Sequence, residues 1–292
     1  MSGSKIITGV IGDPISHSLS PFIHNGWYHK LGLDYEYQKF HVLPSELGDF
    51  LSSMNEKGIS GINVTIPHKE TVIPFLNFED EGLLAQNIGA ANTIVNRDGQ
   101  LFGYSTDGDG FFKSINYQWV LQISGKKIVI LGAGGSARAI GFSAMAHKAS
   151  SIVFANRTLN RASHLVQDFS YHVPSNEHNP FTATTLDESL IPLLKDADLV
   201  INTTSVGMFP NNEDCPLSDM SWVKKGQYVY DIIYKPQKTV FLKQAEERGA
   251  KILNGLGMLV GQAAIAFAYF TGQEISEDLF LETLNHIGDQ AS

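Results

Sequence analysis

The chain of 292 residues contains one cysteine, Cys215. A lone cysteine excludes an internal disulfide and any multi-cysteine zinc site, and it points to a reducing compartment, so the expected location is the cytoplasm. Positive charge is in deficit: 21 Lys and Arg stand against 30 Asp and Glu, for a formal net charge of −9. A nucleic-acid partner would need a broad basic surface, so that class is disfavoured. Any anion site must instead be built locally, from a few cations and backbone N–H groups acting within about one Debye length, roughly 8 Å. Long apolar runs are missing as well. The stretch Met258 to Phe270 is interrupted by Gly261 and Gln262 and is too short to cross a bilayer, so it reads as a buried helix and no membrane partner is expected. Met1 to Lys5 is not followed by the apolar run and small-residue cleavage site of a secretory leader. The ten histidines form no HExxH and no Cys/His cluster, so no metal is expected. Solenoid-length repeats and low-complexity runs are also absent.

What is present is a strong alternation of strand-like and helix-like segments. With 43% hydrophobic residues the chain can bury a substantial core, in two domains of ordinary size as readily as in one. Ile6 to Ile11 is an apolar run closed by Gly12-Asp13-Pro14, and Pro21 to Leu31 is helix-like and ends at Gly32. Tyr35 to Val42, Pro44 to Lys57 and Gly61 to Ile66 repeat the strand, helix, strand pattern, and Pro67 stops it. Helices are predicted at Lys69 to Leu76 and Glu79 to Asn87. A hairpin follows, from Thr93 to Tyr104, with Asp98-Gly99 in its turn. Asp107 to Ile115 reads as a helix, and the polar Ser124-Gly125-Lys126-Lys127 suits a domain boundary. Beyond it, Ile128 to Leu131, the glycine turn 132–137, a helix from Arg138 to His147 and a strand from Ser151 to Ala155 make a βαβ unit. Strands at Phe181 to Thr184, Leu199 to Thr203, Tyr228 to Ile232 and Lys251 to Leu253 complete a doubly wound domain. The helices Met258 to Phe270 and Glu277 to His286 have no strands of their own and are expected to return to the first domain. The fold class is therefore α/β. An N-terminal mixed-sheet domain, residues 1–118 with 258–292, is joined to a Rossmann-like domain, residues 119–257.

The turn Gly132-Ala133-Gly134-Gly135-Ser136-Ala137 fits G-x-G-x-x-A, the permitted variant of the dinucleotide fingerprint. Gly132 allows the tight turn, Gly134 lets backbone approach a pyrophosphate, and Ala137 lets helix and strand pack closely. The bland alternative is a structural glycine turn, but an apolar strand before it and a helix after it favour nucleotide binding. At the end of the next strand an NAD site usually carries a carboxylate for the ribose. This chain has Asn156-Arg157-Thr158 and then Arg161. Arg157 offers a fork of donors for a 2′-phosphate and Arg161 a second cation, so NADP is favoured over NAD; the competing reading is a pair of solvated arginines.

Polar motifs also close the strands of the first domain. His17-Ser18-Leu19-Ser20-Pro21 precedes a helix; Ser20 reads as its N-cap with Pro21 at the first helical position, which leaves Ser18 unexplained. Two hydroxyls beside a helix N-terminus suit a carboxylate. Asn63-Val64-Thr65-Ile66-Pro67-His68-Lys69 sets a lysine just after a strand end. Asp107, in Gly103-Tyr104-Ser105-Thr106-Asp107-Gly108, is either the N-cap of the following helix or an acid that holds the Lys69 ammonium, and spacing alone leaves both open.

Taken in order, Ser18-Leu19-Ser20-Pro21, Asn63-Val64-Thr65 with Pro67 and Lys69, Gly89-Ala90-Ala91-Asn92-Thr93, Thr106-Asp107-Gly108, the glycine turn, Asn156-Arg157-Thr158, Asp231-Ile232-Ile233-Tyr234-Lys235-Pro236 and Gly257-Met258-Leu259-Val260-Gly261-Gln262-Ala263 resemble the shikimate dehydrogenase family nearly end to end. The resemblance implies an NADP-dependent enzyme that reversibly reduces 3-dehydroshikimate to shikimate, in the biosynthesis of chorismate and the aromatic amino acids. It implies a substrate site of Ser18, Ser20, Thr65, Lys69, Asn92, Asp107, Tyr234 and Gln262, with Lys69 as catalytic acid/base and Asp107 as its partner. NADP would be held by Gly132, Ala133, Gly134, Gly135, Ser136, Ala137, Asn156, Arg157, Thr158, Arg161 and Gly255, with Ile232 and Met258 close to the nicotinamide. The partner implied is a small-molecule substrate, in a monomer or homodimer. Ser105 departs from the family, which commonly has Asn there, and this puts fine substrate preference in doubt. A quinate/shikimate dehydrogenase with relaxed substrate or cofactor preference is the alternative. A binding protein without turnover would be expected to have lost Lys69 or Asp107, and neither is lost.

Overall fold

In the computed structural model, which describes residues 5–176 and 178–290, the apolar runs become strands and the segments between them mostly helices. The elements are β1 (Ile6–Gly12), α1 (Ser20–Lys30), β2 (Tyr35–His41), α2 (Leu47–Ser53), β3 (Ile59–Val64), α3 (Leu83–Ile88), β4 (Thr93–Arg97), β5 (Gln100–Tyr104) and α4 (Asp107–Trp119). Then come β6 (Lys127–Leu131), α5 (Gly135–Ala146), β7 (Ser151–Asn156), α6 (Leu159–Ser170), β8 (Phe181–Thr185), α7 (Ile191–Asp196) and β9 (Leu199–Asn202). The chain continues through β10 (Tyr228–Asp231), α8 (Val240–Glu247), β11 (Lys251–Leu253), α9 (Leu256–Thr271) and α10 (Glu277–Gln290). Two compact units result, one from the chain up to Gly110 with Leu259–Ile287, the other from Phe111–Met258.

The first unit is built on a mixed sheet of order β2-β1-β3-β4-β5. β1 runs parallel to β2 and β3, while β3 with β4 and β4 with β5 are antiparallel. The β4–β5 hairpin turns through Asp98 and Gly99, both at positive φ (53° and 89°), which matches the right-handed twist of the strands. One face of the sheet buries Ile11, Ile62, Val64 and Ile94 against Leu51, Met54 and Ala85. The C-terminal helices belong to this unit, as the lack of strands beyond Leu253 suggested. The Trp27 and Phe267 rings of α1 and α9 meet edge-on at 5.6 Å, and Trp27 Nε1 donates to Thr283 Oγ1 of α10 at 2.8 Å.

The second unit is a parallel sheet of order β11-β10-β9-β6-β7-β8. From β6 the chain winds outward through β7 and β8, then returns to the other flank of β6 as β9. The carboxyl ends of β6 and β9 therefore form the switch point at which open α/β sheets bind ligands.

Three sequence expectations differ from the structure. Lys69 to Leu76, predicted as a helix, is a series of turns with a short 3-10 segment at Ile73–Phe75; Pro74 removes a donor and disfavours helical dihedrals at Ile73, behind the β-branched Thr71 and Val72. The helix predicted from Pro44 to Lys57 is a 3-10 turn at Pro44–Glu46 followed by the shorter α2. The first unit ends at Gly110 rather than at residue 118, and Met258 lies in the second unit. Phe111 packs edge-on to Tyr230 at 4.8 Å and Trp119 against Tyr228 at 4.9 Å, which ties the later turns of α4 to β10.

Candidate active site

In the first unit the polar motifs gather where β1 and β3 end. Thr65 N–H donates to the Ile11 carbonyl at 3.0 Å, so the turn after β3 is tied to the end of β1. Gly12 has no room for a side chain there: a Cβ would lie 2.5 Å from Thr65 Cγ2. This turn delivers Lys69, whose Nζ lies 2.5 Å from Asp107 Oδ2. The lysine side chain is 18% exposed and the aspartate 5%, so both groups are largely withdrawn from solvent, the carboxylate more than the ammonium. Asn92, between α3 and β4, donates from Nδ2 to Asp107 Oδ1 at 2.8 Å and to Thr106 Oγ1 at 2.9 Å, and its Oδ1 accepts from Thr106 N–H at 2.7 Å. Gln262 Oε1 lies 3.3 Å from the same Nδ2. Asp107 is the first residue of α4, and its two carboxylate oxygens accept from Lys69 and Asn92.

The crossing of α4 and α9 sets this geometry. A Cβ on Gly110 would lie 2.4 Å from the Gln262 backbone nitrogen, and one on Gly261 would lie 2.5 Å from the Gly110 carbonyl. Two glycines thus let the backbones touch, which brings Gln262 beside Asn92 and Asp107.

The serine turn differs from its sequence reading. The N-cap position of α1 is Leu19, and Ser20 is already helical, with Pro21 next to it. Ser18 Oγ accepts from Ser20 N–H at 3.3 Å, and Ser20 itself is buried. Ser18 is partly exposed beside this helix start. Tyr37 and Asn63 are the residues that sequence reasoning missed. Tyr37 Oη donates to Asn63 Oδ1 at 2.7 Å, and Asn63 Nδ2 donates to the Asn92 carbonyl and to Thr93 Oγ1, both at 3.1 Å. The only sequence signal was the place of Asn63 in its motif.

The structure therefore brings together Ser18 with Ser20, and Lys69 with Asp107, Asn92 and Gln262; Thr65 lies on the turn that carries Lys69. Tyr234, the remaining substrate residue expected, belongs to the second unit.

In that unit the glycine loop sits at the switch point. Gly132 has φ +115°, and a Cβ there would lie 2.6 Å from Thr203 Oγ1, so only glycine turns the chain at this point. Gly134 precedes α5 and supplies no side-chain cap, so the N–H groups opening this helix suit a phosphate. Ala137 is fully buried, as close packing of helix and strand requires. Asn156 Nδ2 donates to the Thr158 carbonyl at 2.9 Å and shapes the turn after β7, beyond which Arg157 and Arg161 are exposed. Phosphate donors at the glycine loop and two cations at the end of β7 fit a dinucleotide with a 2′-phosphate.

The loop after β10 carries Ile232 and Tyr234. Asp231 anchors it by accepting from Asn202 Nδ2 at 3.0 Å, Thr239 Oγ1 at 2.7 Å and Ile233 N–H at 3.1 Å. Burial pushes the Asp231 carboxyl up to about 7, against the pull of these three donors. Gly255 lies under the loop, where a Cβ would lie 1.9 Å from the Ile232 carbonyl. Met258 is buried. Among the described residues no group of three His, Cys, Asp or Glu could hold a metal ion, and no helix is long and apolar enough to cross a membrane.

Three family models match the chain in order: the shikimate dehydrogenase substrate binding domain over residues 10–94, shikimate / quinate 5-dehydrogenase over 115–212, and the shikimate 5′-dehydrogenase C-terminal domain over 255–284. The shikimate dehydrogenase (NADP(+)) of Geobacillus kaustophilus is 43% identical over 267 residues, 91% of this chain and 93% of that protein. Among solved structures, a shikimate dehydrogenase in complex with NADP+ superposes with a TM-score of 0.87 at 36% identity, covering 99% of this chain and 96% of that one. The shikimate 5-dehydrogenase of Listeria monocytogenes, in complex with shikimate and NAD, gives 0.84 at 34% identity, covering 97% and 98%.

Proposed function

Since the chain belongs to the shikimate dehydrogenase family, we propose that it is an NADP-dependent oxidoreductase that interconverts 3-dehydroshikimate and shikimate. The observation that carries the proposal is the buried Asp107 carboxylate, held between Lys69 at 2.5 Å and Asn92 at 2.8 Å where β1 and β3 end. NADP, when bound, supplies the acceptor or donor of the hydride exchanged with the substrate carbon. The loop 132–137, with Asn156, Arg157, Thr158, Arg161 and Gly255, would hold it, and Ile232 and Met258 would line its nicotinamide.

What remains for the protein is to place the substrate and to move one proton. The Ser18 and Ser20 hydroxyls, beside the start of α1, take the ring carboxylate without adding net charge. Thr65, Asn92, Tyr234 and Gln262 take ring hydroxyls. Lys69 Nζ gives a proton to the ketone oxygen during reduction and removes it from the alcohol during oxidation. Asp107 holds the ammonium in place and accepts from a substrate hydroxyl, and the positive charge of Lys69 stabilises a developing alkoxide. This arrangement favours chemistry on a compact ring that bears both a carboxylate and hydroxyls.

Ser105, where the family commonly has Asn, keeps quinate in view as a second substrate. Initial rates of shikimate and quinate oxidation with NADP and with NAD, followed at the nicotinamide absorbance, test the reading. The expected order is shikimate with NADP first by a wide margin, with Arg157→Ala raising the Michaelis constant for NADP and leaving that for NAD nearly unchanged. Faster quinate turnover, or equal use of NAD, would overturn it.

A further inference from the structure

At the carboxyl edge of the second unit's sheet, a continuous run of hydrogen bonds crosses three adjacent strands, β6, β9 and β10. Thr203, just past β9, donates from its N–H and from Oγ1 to the Leu131 carbonyl, at 2.9 and 2.7 Å, one residue before the glycine loop begins. Its neighbour Asn202 turns its two amide atoms to opposite sides. Asn202 Oδ1 accepts from Thr204 N–H at 3.0 Å and from Thr204 Oγ1 at 2.7 Å. An N–H can only donate, so Nδ2 is the atom left to face Asp231, whose Oδ1 accepts from it at 3.0 Å. The same Oδ1 accepts from Ile233 N–H at 3.1 Å, and Oδ2 accepts from Thr239 Oγ1 at 2.7 Å. Thr239 in turn caps α8, accepting from Leu242 N–H at 3.3 Å. Asn202 and Asp231 are fully buried and Thr239 is 1% exposed, so water competes little for these bonds.

We infer that Asp231 and Asn202 are positioning residues for the nicotinamide half of the cofactor: through them the loop after β10, which carries Ile232, is held at a set distance from the glycine loop after β6. Backbone pairing of β9 with β10 ends at Asn202 and Asp231. Past that point the two side chains continue the tie, alongside backbone bonds from Phe209 N–H to the Lys235 carbonyl at 3.3 Å and from Gly255 N–H to the Ile233 carbonyl at 3.1 Å. A carboxylate presents acceptors only, and donors from three segments, Asn202, Ile233 and Thr239, converge on this one. A dinucleotide anchored by its phosphates at the glycine loop then meets an Ile232 already in place rather than a loop it must order. In this role neither Asp231 nor Asn202 touches the cofactor or the reacting atoms. The inference rests on the proposed reading of residues 132–137 and Ile232 as two ends of one NADP site, and it adds what sets the spacing between them.

The test is calorimetric titration of NADP, and of 2′,5′-ADP, which lacks the nicotinamide half, into the enzyme and its Asp231→Ala, Asn202→Ala and Asp231→Asn variants. Melting temperatures report folding, and rates of shikimate oxidation are measured alongside. The smaller ligand needs only the glycine loop and the arginines, so its affinity should stay within about twofold in every variant. Asp231→Ala and Asn202→Ala should lose about three- to tenfold in NADP affinity, the cost of ordering a loop no longer held, and more than that in turnover. Asn202→Ala leaves Asp231 its bonds to Ile233 and Thr239, so it carries the test if Asp231→Ala does not fold. Asp231→Asn keeps Oδ1 as acceptor for Asn202 and Ile233 and can donate to the Thr239 hydroxyl, so it should recover NADP affinity and turnover to within about threefold of the unaltered enzyme. Unaltered NADP affinity in the folded alanine variants would overturn the positioning role, as would an Asp231→Asn enzyme no better than Asp231→Ala. An equal loss with 2′,5′-ADP would also overturn it, since the network would then support the whole domain rather than the nicotinamide end. If the unaltered enzyme binds neither ligand, the NADP reading itself fails, and the role of Asp231 and Asn202 fails with it.

Discussion

His24 is completely buried, neither of its ring nitrogens has a hydrogen-bond partner among the described residues, and burial lowers its pKa from 6.5 to about 3. The ring is therefore neutral at pH 7, among Tyr37, Trp27 and Phe267. Between pH 6.5 and 3 the unfolded chain binds a proton that the folded chain does not. The stability held above pH 6.5 is therefore lost progressively as pH falls. His24→Phe, which keeps an aromatic ring in the stack, should reduce the loss of unfolding free energy between pH 7 and pH 5 by about 2 kcal/mol, read from urea denaturation at each pH. An unchanged difference would show that His24 takes up its proton without unfolding. At this scale the sequence was only partly legible. Lys69 and Asp107 stand in motifs that advertise them, but a histidine inside a helix and a tyrosine in an alternating strand carry no local sign that they will stack. The Ser20 N-cap reading failed because Leu19 already has helical dihedrals (φ −89°, ψ −4°), which composition around a proline does not reveal.

Among the elements, α4 and α9 do most to assemble the site, since one brings Asp107 and the other Gln262. Their contact depends on Gly110 and Gly261, where the obstacle to any Cβ is backbone rather than a movable side chain. Gly110→Ala should force the helices apart. Overpacking of this kind costs roughly 1–3 kcal/mol, seen as a lower melting temperature, and the displaced Gln262 should raise the Michaelis constant for shikimate. Normal values of both would mean that the crossing is looser than its distances indicate. Strand periodicity was the most readable feature of the sequence: β11 has the bounds expected from the apolar pattern, and β8, β9 and β10 differ by one residue at one end. Helices were less readable where proline and β-branched residues interrupt them, as at Thr71 to Pro74. Helical spacing alone did not show that Lys69 leaves its strand on a turn rather than on a helix.

For the whole molecule, net charge and architecture pull in different directions. A chain of net charge −9 is proposed to bind an anionic ring and a dinucleotide phosphate. Both tasks fall to local devices: serines at a helix start for one, glycine-loop N–H groups and exposed arginines for the other. The alternation of strands and helices gave the mixed sheet and the parallel sheet in advance, and the strandless C-terminal helices gave their return to the first unit. The limits of the units were not readable, because Phe111 and Trp119 join α4 to β10 through tertiary contacts that no composition shift marks.

Turnover is the property that draws on everything proposed for the chain, and the proton moved by Lys69 is its central step. Pre-steady-state and steady-state rates of shikimate oxidation by Lys69→Ala, with Asp107→Ala and the double variant alongside, measure that step directly. Lys69→Ala should lower turnover by about 10²- to 10⁴-fold with a far smaller change in the shikimate Michaelis constant. The double variant should lose much less than the product of the single losses, because the two groups act as one unit. Near-normal turnover in Lys69→Ala would contradict the proton-transfer role.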